Sequence, residues 1–267
     1  MTKQNATRVD SDVGRFYEVV IENVLHVFAS VTHILSCLNK GPALTRWMTR
    51  QTKEAVLDAV YRMIQELGTD VVNVSEGDFA RYINRHLGDQ QAHEKTRNEA
   101  ALIGTQCHHF IDWYLKTQEA PFGLGEDHGA PPPTTGAAEI SKRAWLDWIQ
   151  KHEIHPLHVE KTIYSVKHRY AGTMDLLAMV DGKLTLLDWK TSSGIYPENF
   201  LQSVAYQAAA QELGLGTIER ALIVRLPKVE NQEVQVVETP PMEELLPTFL
   251  AVKRVFDWWH PQQQRKR

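Results

Sequence analysis

Between Gly172 and Ser192 the chain reads GTMDLLAMVDGKLTLLDWKTS. Asp181-Gly182 is a strong two-residue hairpin signal, because such turns need backbone angles that Gly and Asp tolerate. The flanking runs predict strands over Thr173–Val180 and Leu184–Trp189. Three charges interrupt this apolar hairpin: Asp175 on its first strand, and Asp188 and Lys190 on its second. Period-two alternation puts Asp188 and Lys190 on one face and Trp189 on the other. Among neighbours such as Leu176, Leu177, Leu186 and Leu187, such charges are costly to bury unless paired or bound to a cation.

That cost suggests a chemistry. Two carboxylates on paired strands suit a hard divalent cation, Mg2+ or Mn2+. A cation so held activates water and stabilises charge on a phosphate, and an adjacent lysine positions the water or neutralises developing charge. The same residues also fit an exposed charged hairpin with an Asp–Lys salt bridge. On the hairpin alone both readings stand.

The hairpin lies late in a chain of 267 residues, long enough for one large domain. Before it the pattern is mostly helical. A short strand over Arg15–Val20 precedes a helix in VTHILSCLNK, with Ser30 or Thr32 as its cap. A helix over Ala43–Leu67 carries an apolar stripe of Leu44, Trp47, Val56, Val60 and Ile64. Helices over Phe79–Leu87 and Glu94–Thr117 follow. Residues 121–136 are rich in Pro and Gly and predict an exposed loop, with a helix over Ala137–Lys151 after it. Next come a strand over Leu157–Ser165, the hairpin, a helix over Phe200–Leu213, strands over Ala221–Leu226 and Glu233–Val237, and a helix over Glu243–Trp259. The expected organisation is a single α/β domain over 1–267, with a mainly helical part at 15–120, a core at 155–240, and a closing helix and polar tail at 241–267.

Composition removes several classes of function. A net charge of −4 argues against a protein that coats nucleic acid through bulk charge, but leaves room for a local basic groove. No run of 18 apolar residues occurs, and residues 1–12 are polar, so neither a membrane span nor a signal peptide is expected. Cys37 and Cys107 are isolated, so no iron–sulfur cluster is expected, and a reducing, cytoplasmic setting fits best.

Further motifs surround the hairpin. Gly172-Thr-Met-Asp175 is a GxxD strand, Asp188-Trp-Lys190 a D-x-K strand, and Gln202-Ser-Val-Ala-Tyr206 a QxxxY helix segment. Upstream, Gly104-Thr-Gln-Cys-His108 reads GxxxH, and Glu160 stands fifteen residues before Asp175. In this order they resemble the PD-(D/E)XK nuclease superfamily, in its RecB-type and phage exonuclease branch. ASVTHIL and the downstream Trp47 also look like the N-terminal part of phage nucleases and of mitochondrial genome maintenance exonucleases.

The resemblance implies a restriction-endonuclease-like core: a central mixed sheet flanked by helices, with a helical N-terminal part. It implies a metal held by His108, Asp175, Asp188 and the Trp189 carbonyl, with Lys190 orienting water and Glu160 in a metal or water role. Gln202 and Tyr206, four residues apart, share a helix face turned to the site. Thr191 and Ser192 are candidate phosphate donors. Arg46 and Trp47, with Arg50 and Lys53 nearby, are candidates for holding a nucleic acid strand by stacking and charge. The function implied is a Mg2+- or Mn2+-dependent DNA exonuclease of phage or bacterial replication, recombination or repair. A single strand with a free end is the expected substrate, threaded under helices and the 121–136 loop. An endonuclease or flap nuclease on the same core, or an idle DNA-binding scaffold, are the alternatives.

Overall fold

The computed structural model describes residues 6–12, 14–38, 41–68, 73–87, 92–117 and 123–260. The chain divides into two compact units, Asn39–Leu102 and the remainder, Met1–Leu38 with Ile103–Arg267.

The larger unit holds an eight-stranded mixed sheet. β1 (Ala6–Ser11), β2 (Gly14–Ile21) and β3 (Val24–Ser30) form an antiparallel meander. Only its middle strand was expected. The β2–β3 turn is Glu22-Asn23, both at positive φ (49° and 64°), so it works without the glycine that usually announces such a turn. Ser30 caps α1 (Val31–Leu35) by accepting the His33 N–H at 3.0 Å. This helix stops well short of the expected run to Lys40.

β4 (Ile154–Ser165), β5 (Tyr170–Val180) and β6 (Lys183–Lys190) follow, with β7 (Arg220–Arg225) and β8 (Gln235–Glu238) beyond them. Asp181-Gly182 makes the expected turn, at φ 50° and 79°. β4 runs antiparallel to β5 along one edge from Ser165↔Tyr170 to Ile154↔Val180. The other edge of β5 is therefore shared. β3 joins it in parallel at Tyr170 and Ala171, and β6 joins it antiparallel from Leu176 to Val180. Gly172 to Asp175, the GxxD segment, lies between those two partners and has no strand on that side among the described residues.

Helices cover both faces. α6 (Pro197–Glu212) and α7 (Met242–Trp259) bury Val204, Phe249 and Phe256 against Met174 and Leu177. The C-terminal part of α4 (Ala92–Thr117) and α5 (Ala137–Ile149) bury Ile111, Trp145 and Trp148 against Leu176, Leu187 and Trp189. Apolar residues on both sheet faces demand this layering. Residues 123–136 are irregular; Trp113 Nε1 donates to Gly129 O at 2.9 Å and Gln106 accepts from Thr135, so α4 holds the loop by hydrogen bonds. Pro121 lies outside the described residues.

The smaller unit contains α2 (Gly41–Leu67), α3 (Glu76–Leu87) and the start of α4. The buried face of α2 is Ala59 and Met63, with Ile83 buried on α3. The expected stripe is rotated: Trp47, Val56 and Val60 are half-buried, Ile64 is exposed, and the Leu44 side chain lies outside the described residues. The apolar residues of α2 are spread around the helix, so its sequence does not mark Ala59 and Met63 as the buried pair. Among the described residues no helix is long and apolar enough to cross a membrane.

Candidate active site

Residues two apart on a strand share a face. On β5 this rule breaks at Asp175: Met174 packs under α6 and α7, while Leu176 packs under α4 and α5. The opposite strand breaks too. Val159 packs on the α4–α5 side and Ile163 on the α6–α7 side, though they are four positions apart, a spacing that should share a face. Between them Glu160 has a left-handed backbone at φ 47°. Val159↔Leu176 and Lys161↔Met174 flank it in register, so Glu160 stands across from Asp175. A left-handed non-glycine residue costs roughly 1–2 kcal/mol, and such strain tends to collect at functional sites. The two faults bring a pair of carboxylates together beside the uncovered edge of β5.

α4 brings His108 to the same place. Its Nδ1 lies 3.9 Å from Glu160 Oε1 and 3.7 Å from Asp175 Oδ1. One donor atom from each of His108, Glu160 and Asp175 lies within 4.8 Å of the others, a grouping able to hold a metal ion. His109 is exposed, so the helix settles which of the two histidines faces inward. α4 comes close at Gly104, where an added Cβ would sit 3.2 Å from Thr191 Oγ1. Burial works against a charge on His108, but Asp175 and Glu160 outweigh it and raise its pKa to about 9.

β6 supplies the rest. Strand pairing stops at Leu176↔Leu187, and beyond it the Trp189 N–H donates to Asp175 Oδ2 at 2.7 Å instead. Trp189 packs edge-on against Trp145 and Trp148, with ring centroids 6.0 and 5.7 Å away. Alternation leaves Asp188 and Lys190 on the opposite face, as expected. Lys190 Nζ lies 2.5 Å from Asp188 Oδ2. That contact is a close ion pair, and among the described residues no donor other than Lys190 reaches either Asp188 oxygen. Asp188 is 2% exposed, and burial pushes its carboxyl up to about 6 despite the lysine. Burial also raises Asp175. For Lys190 burial opposes the charge, yet Asp188 and Asp175 together raise its pKa. The site gathers the half-buried His108, Glu160 and Asp175 beside the buried Asp188 and the Lys190 ammonium. Such a set has the ligand types that can hold a metal ion.

With that geometry in place, sequence comparison is informative. Mitochondrial genome maintenance exonuclease 1 of Mus musculus is 33% identical over 132 residues, which cover 46% of this chain and 35% of that protein. The chain is similar to an exonuclease. It spans about a third of that relative's length. No family profile matches the chain. A crystal structure of a candidate exonuclease from Eubacterium rectale aligns over 67% of this chain and 74% of its own, at 14% identity and a TM-score of 0.35, too low to carry an argument.

The remaining expected residues fall in three places. On α6, Gln202 Nε2 donates to the Tyr206 hydroxyl at 3.1 Å, so the pair shares a face as expected. Tyr206 is buried, and burial, then Asp188, raises its pKa well above the phenol value. Its ring lies against Gly172, where an added Cβ would come within 2.4 Å of Cε1, which explains the first residue of the GxxD segment. After Lys190, Thr191 packs at Gly104 and Ser192 Oγ donates to the Gly194 carbonyl at 2.6 Å, so its proton is used within the turn. Arg46 is exposed and Trp47 half-buried on α2, in the smaller unit. Tyr17 is a neighbour that sequence reasoning missed: its hydroxyl bonds Thr173 Oγ1 at 2.9 Å, inside the uncovered GxxD stretch. Only the β3–β5 junction brings it there, so no local pattern could have signalled it.

Proposed function

We propose that the protein is a divalent-metal-dependent nuclease that hydrolyses DNA phosphodiester bonds, acting as an exonuclease on single strands with a free end. The observation that carries this reading is the convergence of His108, Glu160 and Asp175 beside the buried, hydrogen-bond-poor Asp188 and its partner Lys190. The donor set fits a cation: His108, Glu160, Asp175 and Asp188 would hold it, and Mg2+ and Mn2+ both accept these ligand types. The Trp189 carbonyl would add a further oxygen. A bound cation there supplies Lewis-acid polarisation of the scissile phosphate.

The chain's own groups do the rest. Lys190 holds the attacking water and offsets charge as the phosphate becomes more negative. Asp188 keeps that lysine charged and aimed, since its oxygen is the nearest anion. Glu160, on its strained backbone, takes its metal or water role beside His108 and Asp175. Gln202 bonds the Tyr206 hydroxyl, and the two close the α6 side of the site. Likeness to the mouse exonuclease over part of its length supports the reaction class. A role in phage or bacterial replication, recombination or repair is part of the same proposal.

The test is a time course on end-labelled linear single strands, blunt duplex and covalently closed single-stranded circles, each with Mg2+, Mn2+ or EDTA. Linear single strands are degraded fastest with Mg2+ or Mn2+, and nothing is cut in EDTA. Circles cut as fast as linear strands would point to the endonuclease alternative. Binding without cutting in any metal would leave a DNA-binding scaffold.

A further inference from the structure

β4 pairs with β5 along one edge, and its other edge has no strand partner among the described residues. A groove of about 720 Å³ follows that free edge through Leu157, Glu160 and Thr162, with Thr7 of β1 and Lys116 of α4 also lining it. Its size lies in the range of ligand sites, roughly 300–1,000 Å³. Glu160, whose carboxylate joins the convergence with His108 and Asp175, is part of the lining. Through Glu160 the groove borders the proposed metal site.

The chemistry of the walls selects the occupant. Lys161 lines the groove, is only half-buried, and has no carboxylate within ion-pair distance among the described residues. Lys116 adds a second ammonium, held 2.6 Å from Asp112. The one other acid in the lining, Glu126, is met by His128 at 2.7 Å. Exposed Leu157 and the half-buried His158 ring line the same groove as these cations. Cations along one track with an apolar and aromatic surface beside them are what an unpaired nucleic acid strand binds. A peptide strand is a poor fit for this edge, because the irregularity at Pro156/His158 and the left-handed Glu160 break its hydrogen-bonding rhythm. We propose that this groove holds the nucleic acid strand next to the scissile phosphate, in single-stranded form, with Lys161 pairing with a backbone phosphate. The inference rests on the nuclease reading above and adds the path of the substrate to it.

The experiment measures anisotropy of a fluorescein-labelled oligothymidylate with the full chain in EDTA, where no cleavage occurs, over a series of salt concentrations. Lys161→Ala weakens binding several-fold and makes the slope of log Kd against log salt shallower by about 0.7, the value for one phosphate contact on a single strand. Lys161→Arg keeps both affinity and slope. With Mg2+ or Mn2+ restored, Lys161→Ala raises KM and leaves kcat near the parent value, which a merely structural lysine would not do. Unchanged affinity and slope in Lys161→Ala, with a parent protein that binds and cuts, would overturn the groove and leave the nuclease standing. An equal loss for blunt duplex would overturn the single-strand assignment. A parent protein that neither binds nor cuts nucleic acid would overturn both readings.

Discussion

Asp188 carries its charge at a cost. Its carboxyl is pushed up to about 6 by burial, against an ordinary 3.8, even with Lys190 2.5 Å away. A carboxyl whose folded pKa is raised destabilises the fold wherever it is ionised. The cost is absent below 3.8, grows between 3.8 and 6, and is complete above 6. In metal-free protein at pH 8, Asp188→Asn therefore melts at or above the parent temperature, and the difference shrinks as pH falls from 6 toward 4. Calorimetry in EDTA across that range checks it; a large loss at pH 8 would show that the Asp188–Lys190 pair is net stabilising. The same substitution, or Asp175→Asn, lowers cleavage by orders of magnitude, measured as single-turnover rate with Mg2+ or Mn2+. Lys190→Ala lowers kcat far more than it changes KM, because its charge matters most when the phosphate gains charge. Collapse of affinity with normal single-turnover cleavage would make Lys190 a phosphate anchor instead. These three residues were legible in the sequence because a D-x-K strand after a tight turn already fixes which side chains share a face.

At the scale of elements, two close approaches position the site: α4 over Thr191 at Gly104, and α6 over β5 at Gly172. An added methyl at Gly172 would come 2.4 Å from Tyr206, so the ring or the helix must move. Gly172→Ala costs about 1–3 kcal/mol, the usual penalty for overpacking, and lowers activity by displacing α6. Urea unfolding gives the stability, and a double-mutant cycle with Tyr206→Leu tests the cause. If the contact is responsible, the two losses are strongly non-additive. The glycines of GxxxH and GxxD could be matched as motif letters in the sequence, but their reason could not. It lies in side chains that are 87 residues (191 − 104) and 34 residues (206 − 172) away. Two of the three strands of the β1–β3 meander are not legible in the sequence, for a local reason. Glu22-Asn23 turns the chain at positive φ without a glycine, and a short strand such as β1 shows little pattern of its own.

For the molecule as a whole, the prediction is that a cation and protons compete for one site. His108 holds its proton up to about 9 in metal-free protein, and a cation must displace it. Metal affinity therefore falls as pH drops below 9, and binding releases protons, which calorimetry in buffers of different ionisation enthalpy measures. At a hundred times its Kd the metal stabilises the fold by about 2.7 kcal/mol, seen as a rise in Tm that Asp175→Asn abolishes. A Tm indifferent to metal in the parent protein would count against the site. The α/β class, the hairpin, the Asp188–Lys190 face and the helix after the hairpin were determined by the sequence itself, because turn chemistry and periodicity act over a few residues. Tertiary structure alone decided that Glu160 faces Asp175 across a doubly faulted strand pair, that His108 comes within 3.9 Å of both, and that among the described residues the GxxD edge has no strand partner between β3 and β6. Those facts depend on register between strands far apart in the chain and on how closely helices can approach a sheet. No short window of sequence contains both partners of such contacts.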